Sequence, residues 1–395
     1  MSDALDYVVS LHGEKKIEQV IKALDAVDIE LPSWGFGRGG TRFAVYQSPN
    51  DAYLIEDKFE RAAKVRDLTG RGKTIALHFP WDGSTDEDIK KVKSLLAKHG
   101  FKAGAINPNL FSTRKKTELD YRMVFGSIIN PVAAVEKASH EHCLWCIDIM
   151  RDFGSKALSL WVPDGTNSPG QRSLYAIADH IEEAVHKIAK ALHAEETLLL
   201  EYKFFEPAFY ATAIPDWGRS AEICRKSGEN CQVLVDLGHH APGTNIEQVV
   251  THLVREGRLG GFHLNDSKYA DDDLASGSVD AMRLFRVMLA LAEGEWRGLK
   301  RLKDVAFMID ESHNVKDATA EMIESIQNIE IAMARALLVD FDRWMSYQKK
   351  GKMSDPEHAE QVLYNAFNTD VRPILAERRK RHNLPENPLR ELIGA

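Results

Sequence analysis

VLVDLGHHAPGTNIEQVVTHLVREGRLGGFHLNDSKYADDD, Val233 to Asp273, is the stretch around which the rest of the chain can be read. An apolar run ends in Asp236, and His239 and His240 lie just beyond it. A helix-like segment follows. A second apolar run, Gly260 to Leu264, carries His263, and the triplet Asp271, Asp272, Asp273 comes a short loop later. Strand, helix, strand in this order makes two parallel strands whose ends lie on one face of the sheet. Two carboxylate clusters and two imidazoles should therefore converge. Oxygen donors mixed with imidazole suit Mn2+, Mg2+, Co2+ or Zn2+ better than they suit a redox or thiolate centre.

The same alternation recurs on both sides of this stretch. Strand-like runs at Ile29 to Trp34, Thr74 to His78, Lys102 to Ile106, Ala157 to Trp161, Leu198 to Lys203, Cys231 to Asp236, Gly260 to Leu264 and Val305 to Ile309 are each followed by helical periodicity. The helix after the second run starts near Ser84 or Thr85 and stops at Gly100. The one after the third is expected to open on Asn130 with Pro131 behind it. Eight such units are what a closed parallel barrel needs. The fold class is thus α/β, a (β/α)8 TIM barrel with appended C-terminal helices. Residues 1–28 read as a helical extension with one amphipathic helix, Ser10 to Leu24. Residues 29–338 read as the barrel, and 339–395 as a charged helical arm suited to an oligomer contact.

With 395 residues the chain can bury a large core, and 44% apolar with 28% charged residues is a water-soluble globular profile. The net charge of −8 argues against a nucleic-acid footprint, which needs a basic face. ERRKRH, residues 377–382, is read as a solvated or subunit-facing patch. No run of about 18 apolar residues is present, so no membrane span is expected. The N-terminus lacks a basic segment leading into an apolar one, so a cytoplasmic location is expected. Four Cys are too few for a disulfide-stapled domain. Cys143 and Cys146 spell C-x-x-C inside a helical stretch, which suits core packing better than redox or zinc chemistry. GFGRGG, residues 35–40, matches the dinucleotide fingerprint literally. The residues after it read as extended, whereas a phosphate site needs a helix there.

In such barrels chemistry sits at the carboxyl ends of the strands. Those ends carry His78, Trp161, Glu201 with Lys203 two residues on, Asp236, His263 and Asp310. Four consecutive strands thus each bring one ligand type, and Glu201, Asp236, His263 and Asp310 make a three-carboxylate, one-imidazole site. A second is available from His239, Asp271 and Asp273, sharing Asp236. His240 is expected to face away. Two ions so held polarise a carbonyl and acidify a bound water, and Lys203 adds a cation for a developing oxyanion. Taken singly, a strand-end Asp is more often a helix N-cap, the DDD triplet a solvated loop, and His78 or Trp161 a core residue with a satisfied polar edge. Their coincidence at one end is what favours a metal site.

These segments, with ELPSWGFGRGGTRF, ALHFPWD, SLWVPDGTNSPGQ, YKFFEPAFY, MIDESHNV and TDVRPILAE, give a sequence that resembles the L-rhamnose isomerase family, in particular its bacterial branch of broad aldose–ketose specificity. The resemblance runs from Glu30 to Glu377. It implies a barrel acting as a homotetramer on a small-molecule sugar, with two divalent ions, commonly Mn2+. It implies Glu201, Asp236, His263 and Asp310 as ligands of the ion that also holds substrate oxygens, and His239, Asp271 and Asp273 as ligands of the second. Lys203, His78 and Trp161 become substrate contacts, with Glu201 beside them. Lys203, His78 and Asp310 become the residues expected to carry the chemistry. One departure is Tyr202, between Glu201 and Lys203, where the family pattern has His; strand alternation turns it away from the pocket. An aldose–ketose isomerase is the expectation, by hydride shift or by proton transfer. A sugar epimerase on the same barrel is the near alternative, although it typically places two Glu across one ion. A DNA-repair phosphodiesterase would want a basic groove, and an inert metal scaffold would leave Lys203 and His78 without a purpose.

Overall fold

The computed structural model describes residues 3–37, 52–112, 123, 126–206, 210–312, 316–348 and 355–394. Eight parallel strands form the barrel in sequence order: β1 Leu31–Pro32, β2 Thr74–Phe79, β3 Lys102–Pro108, β4 Ala157–Leu160, β5 Thr197–Glu201, β6 Cys231–Asp236, β7 Leu259–Leu264 and β8 Ala306–Ile309. The first strand is much shorter than the expected Ile29 to Trp34. Beyond Pro32, Trp34–Phe36 curl into a 3-10 turn. The ring closes between first and last strands through Glu30, whose N–H donates to Phe307 O at 2.8 Å and whose carbonyl accepts from Ile309 N at 3.0 Å.

Alternation along each strand sorts the core into two compartments. On β6, Val233 and Val235 face the surrounding helices and belong to the main apolar cluster. Leu234 faces inward and meets Ala105, Leu199 and Met308, a small apolar layer inside the barrel. One step further toward the strand ends, the inward positions turn polar: Asn107, Ser159, Glu201, Asp236 and His263 are all buried. The barrel interior is thus an apolar floor under a polar mouth.

Helices cap where the sequence provides for it. Asp86–His99 opens on Thr85, which forms a reciprocal capping box with Asp88, and ends on Gly100 in the left-handed region. The helix after β3 starts later than expected. Asn130 Oδ1 accepts from Val132 N at 2.8 Å in a tight turn, and the helix runs Ala133–Asp152 with Val132 at its cap. Instead of one N-terminal helix there are two, Asp3–His12 and Glu14–Asp25, broken at Gly13 with φ 83°. Ile17, Val20, Ile21 and Leu24 bury one face of the second.

The arm contributes helices Phe341–Ser346, Pro356–Asn368, Arg372–Arg381 and Pro388–Ile393. Here the reading of ERRKRH as a solvated or subunit-facing patch holds for the exposed Lys380, Arg381 and His382 but needs correction at two positions. Arg378 and Arg379 are buried, because Glu330 on helix Ala318–Leu338 supplies a buried carboxylate. Its oxygens lie 3.1 Å from Arg378 Nη1, 2.5 Å from Arg379 Nη2 and 2.7 Å from Arg71 Nε. All four Cys are free and buried, and Cys143 and Cys146 pack in the core as expected. The last three residues of GFGRGG and the extended-reading run Thr41 to Ser48 lie outside the described residues. Among those described, no helix is long and apolar enough to cross a membrane.

Candidate metal centre

The strand ends bring together two overlapping groups of ligand atoms, each group lying within 4.8 Å: Glu201, Asp236, His263 and Asp310, and Asp236, His239 and Asp271. In the first, His263 Nδ1 is 3.2 Å from Glu201 Oε2, 3.5 Å from Asp310 Oδ2 and 3.8 Å from Asp236 Oδ2. Donors about 2.1 Å from a shared octahedral ion stand about 3 Å apart when adjacent and about 4 Å apart when opposite. The observed edges fall in that range. In the second, His239 Nε2 is 3.2 Å from Asp271 Oδ1 and 3.9 Å from Asp236 Oδ2. Asp236 Oδ2 therefore faces both imidazoles. Its Oδ1 is held from behind by Gly238 N at 2.7 Å and Asn265 Nδ2 at 3.0 Å.

The electrostatics of the bare site are those of too much negative charge in too little solvent. Burial would lower His263, but Glu201 and Asp310 outweigh it and raise it to about 10. His239 is likewise raised against burial by Asp236 and Asp271. Burial, with Glu201 and Asp271 beside it, lifts Asp236 to about 7. Asp310 and Asp273 are also pushed up, burial first and neighbouring carboxylates next. Protons here do what a cation would do better. His263 Nδ1 and Asp271 Oδ1 are buried and make no hydrogen bond, despite the short distances around them. Buried ligand atoms left without a hydrogen bond, one in each group, fit the binding of a divalent ion. The donor set, carboxylate oxygen with imidazole, is that of Mn2+, Mg2+, Co2+ or Zn2+.

The remaining expected residues line the same pocket, about 180 Å³ in volume. Lys203 Nζ is 2.6 Å from Asp271 Oδ2 and 3.4 Å from Glu206 Oε2, and it lies 4.8 Å over the Trp161 ring. Burial alone would neutralise it, but Asp271 and Glu206 raise it above the ordinary lysine range. His78 is lowered to about 3 by burial and stays neutral. Its Nδ1 lies 3.3 Å from Ser33 Oγ, which donates to Asp82; Lys58 Nζ pairs with that carboxylate at 2.9 Å. Asp273 lines the pocket with φ 47°, while the second group as it stands consists of Asp236, His239 and Asp271. His240 turns away, as expected, and its Nε2 meets the buried Tyr202 hydroxyl at 2.7 Å.

Sequence reasoning missed several partners. Trp34 Nε1 donates to Asp310 Oδ1 at 2.5 Å from the turn after β1. Asn265, two residues past His263, and Glu206, three past Lys203, could have been found from their spacing. Asp82 was legible as the last residue of HFPWD. A larger cleft of about 920 Å³ lies between the N-terminal helix and the arm, lined by Tyr7, Leu11, Trp296 and Phe341 and none of the residues above.

Fold and site together give a barrel whose last four strands lead into a carboxylate–imidazole cluster that could hold a metal ion. Residues 70–300 match the family model described as xylose isomerase-like TIM barrel, and the chain belongs to that family. It is 39% identical over 360 residues to a probable sugar isomerase of Mesorhizobium japonicum, covering 91% of this chain and 82% of that one. It is 40% identical over 363 residues to a probable sugar isomerase of Rhizobium meliloti, covering 92% and 83%. Among solved structures, an L-ribulose 3-epimerase superposes with a TM-score of 0.56 at 16% identity, covering 82% of this chain and 99% of that one. A 3-keto-D-glucoside 4-epimerase from E. coli gives 0.52 at 13% identity, covering 72% and 96%. At these identities the superpositions show a shared fold.

Proposed function

We propose that this protein is a divalent-metal-dependent aldose–ketose isomerase acting on a free sugar, with L-rhamnose and L-rhamnulose as its pair. The observation that carries the reading is the convergence of Glu201, Asp236, His263 and Asp310 from four consecutive strands, with His239 and Asp271 against them. The curated relatives, both named as probable sugar isomerases, support it. Two ions, Mn2+ first among the candidates, a homotetrameric assembly and action in the cytoplasm belong to the same proposal.

Glu201, Asp236, His263 and Asp310 would hold one ion, and His239, Asp271 and Asp273 the other with Asp236. When bound, such a pair supplies Lewis acidity toward a sugar's carbonyl and hydroxyl oxygens. The chain's own groups do the rest. Lys203, kept protonated by Asp271 and Glu206, is a fixed positive charge at the pocket wall, placed to stabilise an oxygen that gains negative charge. Neutral His78, steadied by Ser33 and Asp82, can accept or donate a hydrogen bond at a substrate hydroxyl without bringing charge of its own. Trp34, Trp81, Phe111 and Trp161 wall the pocket and limit water around the reacting carbons.

Incubation of Mn2+-loaded protein with L-rhamnose, with ketose followed over time, tests the proposal. Ketose that disappears on chelation is the expected result. Ketose formed only from another aldose keeps the reaction and changes the substrate. An epimer with no ketose would replace the reading with that of an epimerase.

A further inference from the structure

The pocket wall away from the ligand atoms carries a different chemistry. Ile106 on β3 pairs with Leu158 on β4, and both belong to the outer apolar cluster. The next residues, Asn107 and Ser159, therefore stand side by side and point inward, and both line the pocket. Ser159 is 2% exposed, and its Oγ has no hydrogen-bond partner. Its neighbour across the β4–β5 ladder is Leu199, which offers none. Trp161 Nε1, two residues on, is also buried and unpartnered. Asn107 spends its Nδ2 on Leu77 O and Ala105 O, both at 3.3 Å, which leaves its Oδ1 for the pocket.

A hydroxyl buried without a partner costs free energy that Ala at the same position would avoid. Two such orphans, Ser159 on β4 and Trp161 just past its end, beside the Asn107 amide oxygen, are groups that a ligand entering the pocket would satisfy. The set comprises one hydroxyl, one acceptor and one donor, all uncharged. That matches sugar hydroxyls, each of which both donates and accepts, and it differs from the charged wall that would hold ions.

We infer that Ser159 Oγ, with Asn107 Oδ1 and Trp161 Nε1, forms a neutral subsite that binds hydroxyls on the sugar's carbon chain beyond the oxygens facing the ions, and so selects among tails. The inference rests on the isomerase reading and deepens it. The subsite discriminates by what is lost when a hydroxyl is missing, since the buried protein atoms then stay unpaired.

The test compares wild type with Ser159→Ala, both loaded with Mn2+, on L-mannose and on its 4-, 5- and 6-deoxy analogues. Ser159→Ala should lower kcat/KM about tenfold on L-mannose, the scale of one neutral hydrogen bond, and leave one deoxy analogue nearly unaffected. Equal losses on all four sugars, or no loss on L-mannose, would overturn the subsite. Calorimetric binding of L-mannitol, which has no carbonyl to react, separates the two claims. Polyol binding weakened about tenfold in Ser159→Ala, with no aldose converted by wild type, keeps the subsite and removes the isomerase. Conversion by wild type with Ser159→Ala indifferent to every deoxygenation does the reverse. Neither conversion nor polyol binding by wild type overturns both.

Discussion

Replacing Trp34 by Phe should weaken ion binding at the first ligand group and spare the second. The indole Nε1 is 2.5 Å from Asp310 Oδ1, while the other oxygen of that carboxylate faces His263 Nδ1 at 3.5 Å. The indole thus aims one oxygen outward and leaves the other for the centre. A hydrogen bond to a charged group is worth about 1.5–3 kcal/mol, which corresponds to about ten- to a hundredfold in affinity. The same range is typical when a residue that orients a metal ligand is removed. Phe keeps an aromatic ring beside His78 and changes no formal charge, so the fold should hold. Calorimetric titration with Mn2+ resolves the two affinities. An affinity within twofold of wild type, or an equal loss at both sites, would refute the view that Trp34 acts by orienting Asp310.

Ion binding should release protons. The metal-free site holds His263 at about 10 and Asp236 at about 7, and both must deprotonate to ligate, so affinity should rise about tenfold or more per pH unit between about 6 and 8. Calorimetry in buffers of different ionisation heat counts the protons, and none released would contradict the charge balance of the bare site. For the metal-free protein the sign is opposite. Charged His263 stabilises the fold fully below its ordinary value and loses that contribution as pH rises through about 10, so the urea midpoint should fall on that side. Glu330→Gln should destabilise the protein by about 3–5 kcal/mol, because Arg71, Arg378 and Arg379 would be left as buried charges without their shared carboxylate. An unchanged urea midpoint would show that solvent reaches them after all.

Much of the site was legible because strand alternation and strand ends are local signals. Asp236 and Asp310 end apolar runs, His263 stands one residue before the end of another, and Lys203 follows Glu201 by two, so strand alternation places them all. Helix Ala318–Leu338 and strand Cys231–Asp236 fall where their patterns begin and end. What could not be read depends on contacts between distant parts of the chain. Trp34 and Asp310 are 276 residues apart, and nothing near either one announces the bond. Arg378 and Arg379 look like a solvated run until Glu330 is found beneath them. Ser159 reads as an ordinary strand residue, and only the missing partner in three dimensions makes it informative. Asn130 shows the reverse failure. A good capping residue was available, but a tight turn used it two positions before the residue that caps the helix.

The barrel seam has a consequence for motion. Two hydrogen bonds through Glu30 join the chain at the two-residue β1 to β8, whereas β4 to β8 share ladders of four paired positions at each step. Local opening follows the weakest cooperative unit. The amides of Glu30 and Ile309 should therefore exchange with deuterium ahead of those along β5, β6 and β7. Trp34 stands just past one lip of that seam and Asp310 just past the other. Each unzipping event would part the indole from its carboxylate, so an ion that draws Asp310 inward would act as the clasp that keeps the cylinder shut.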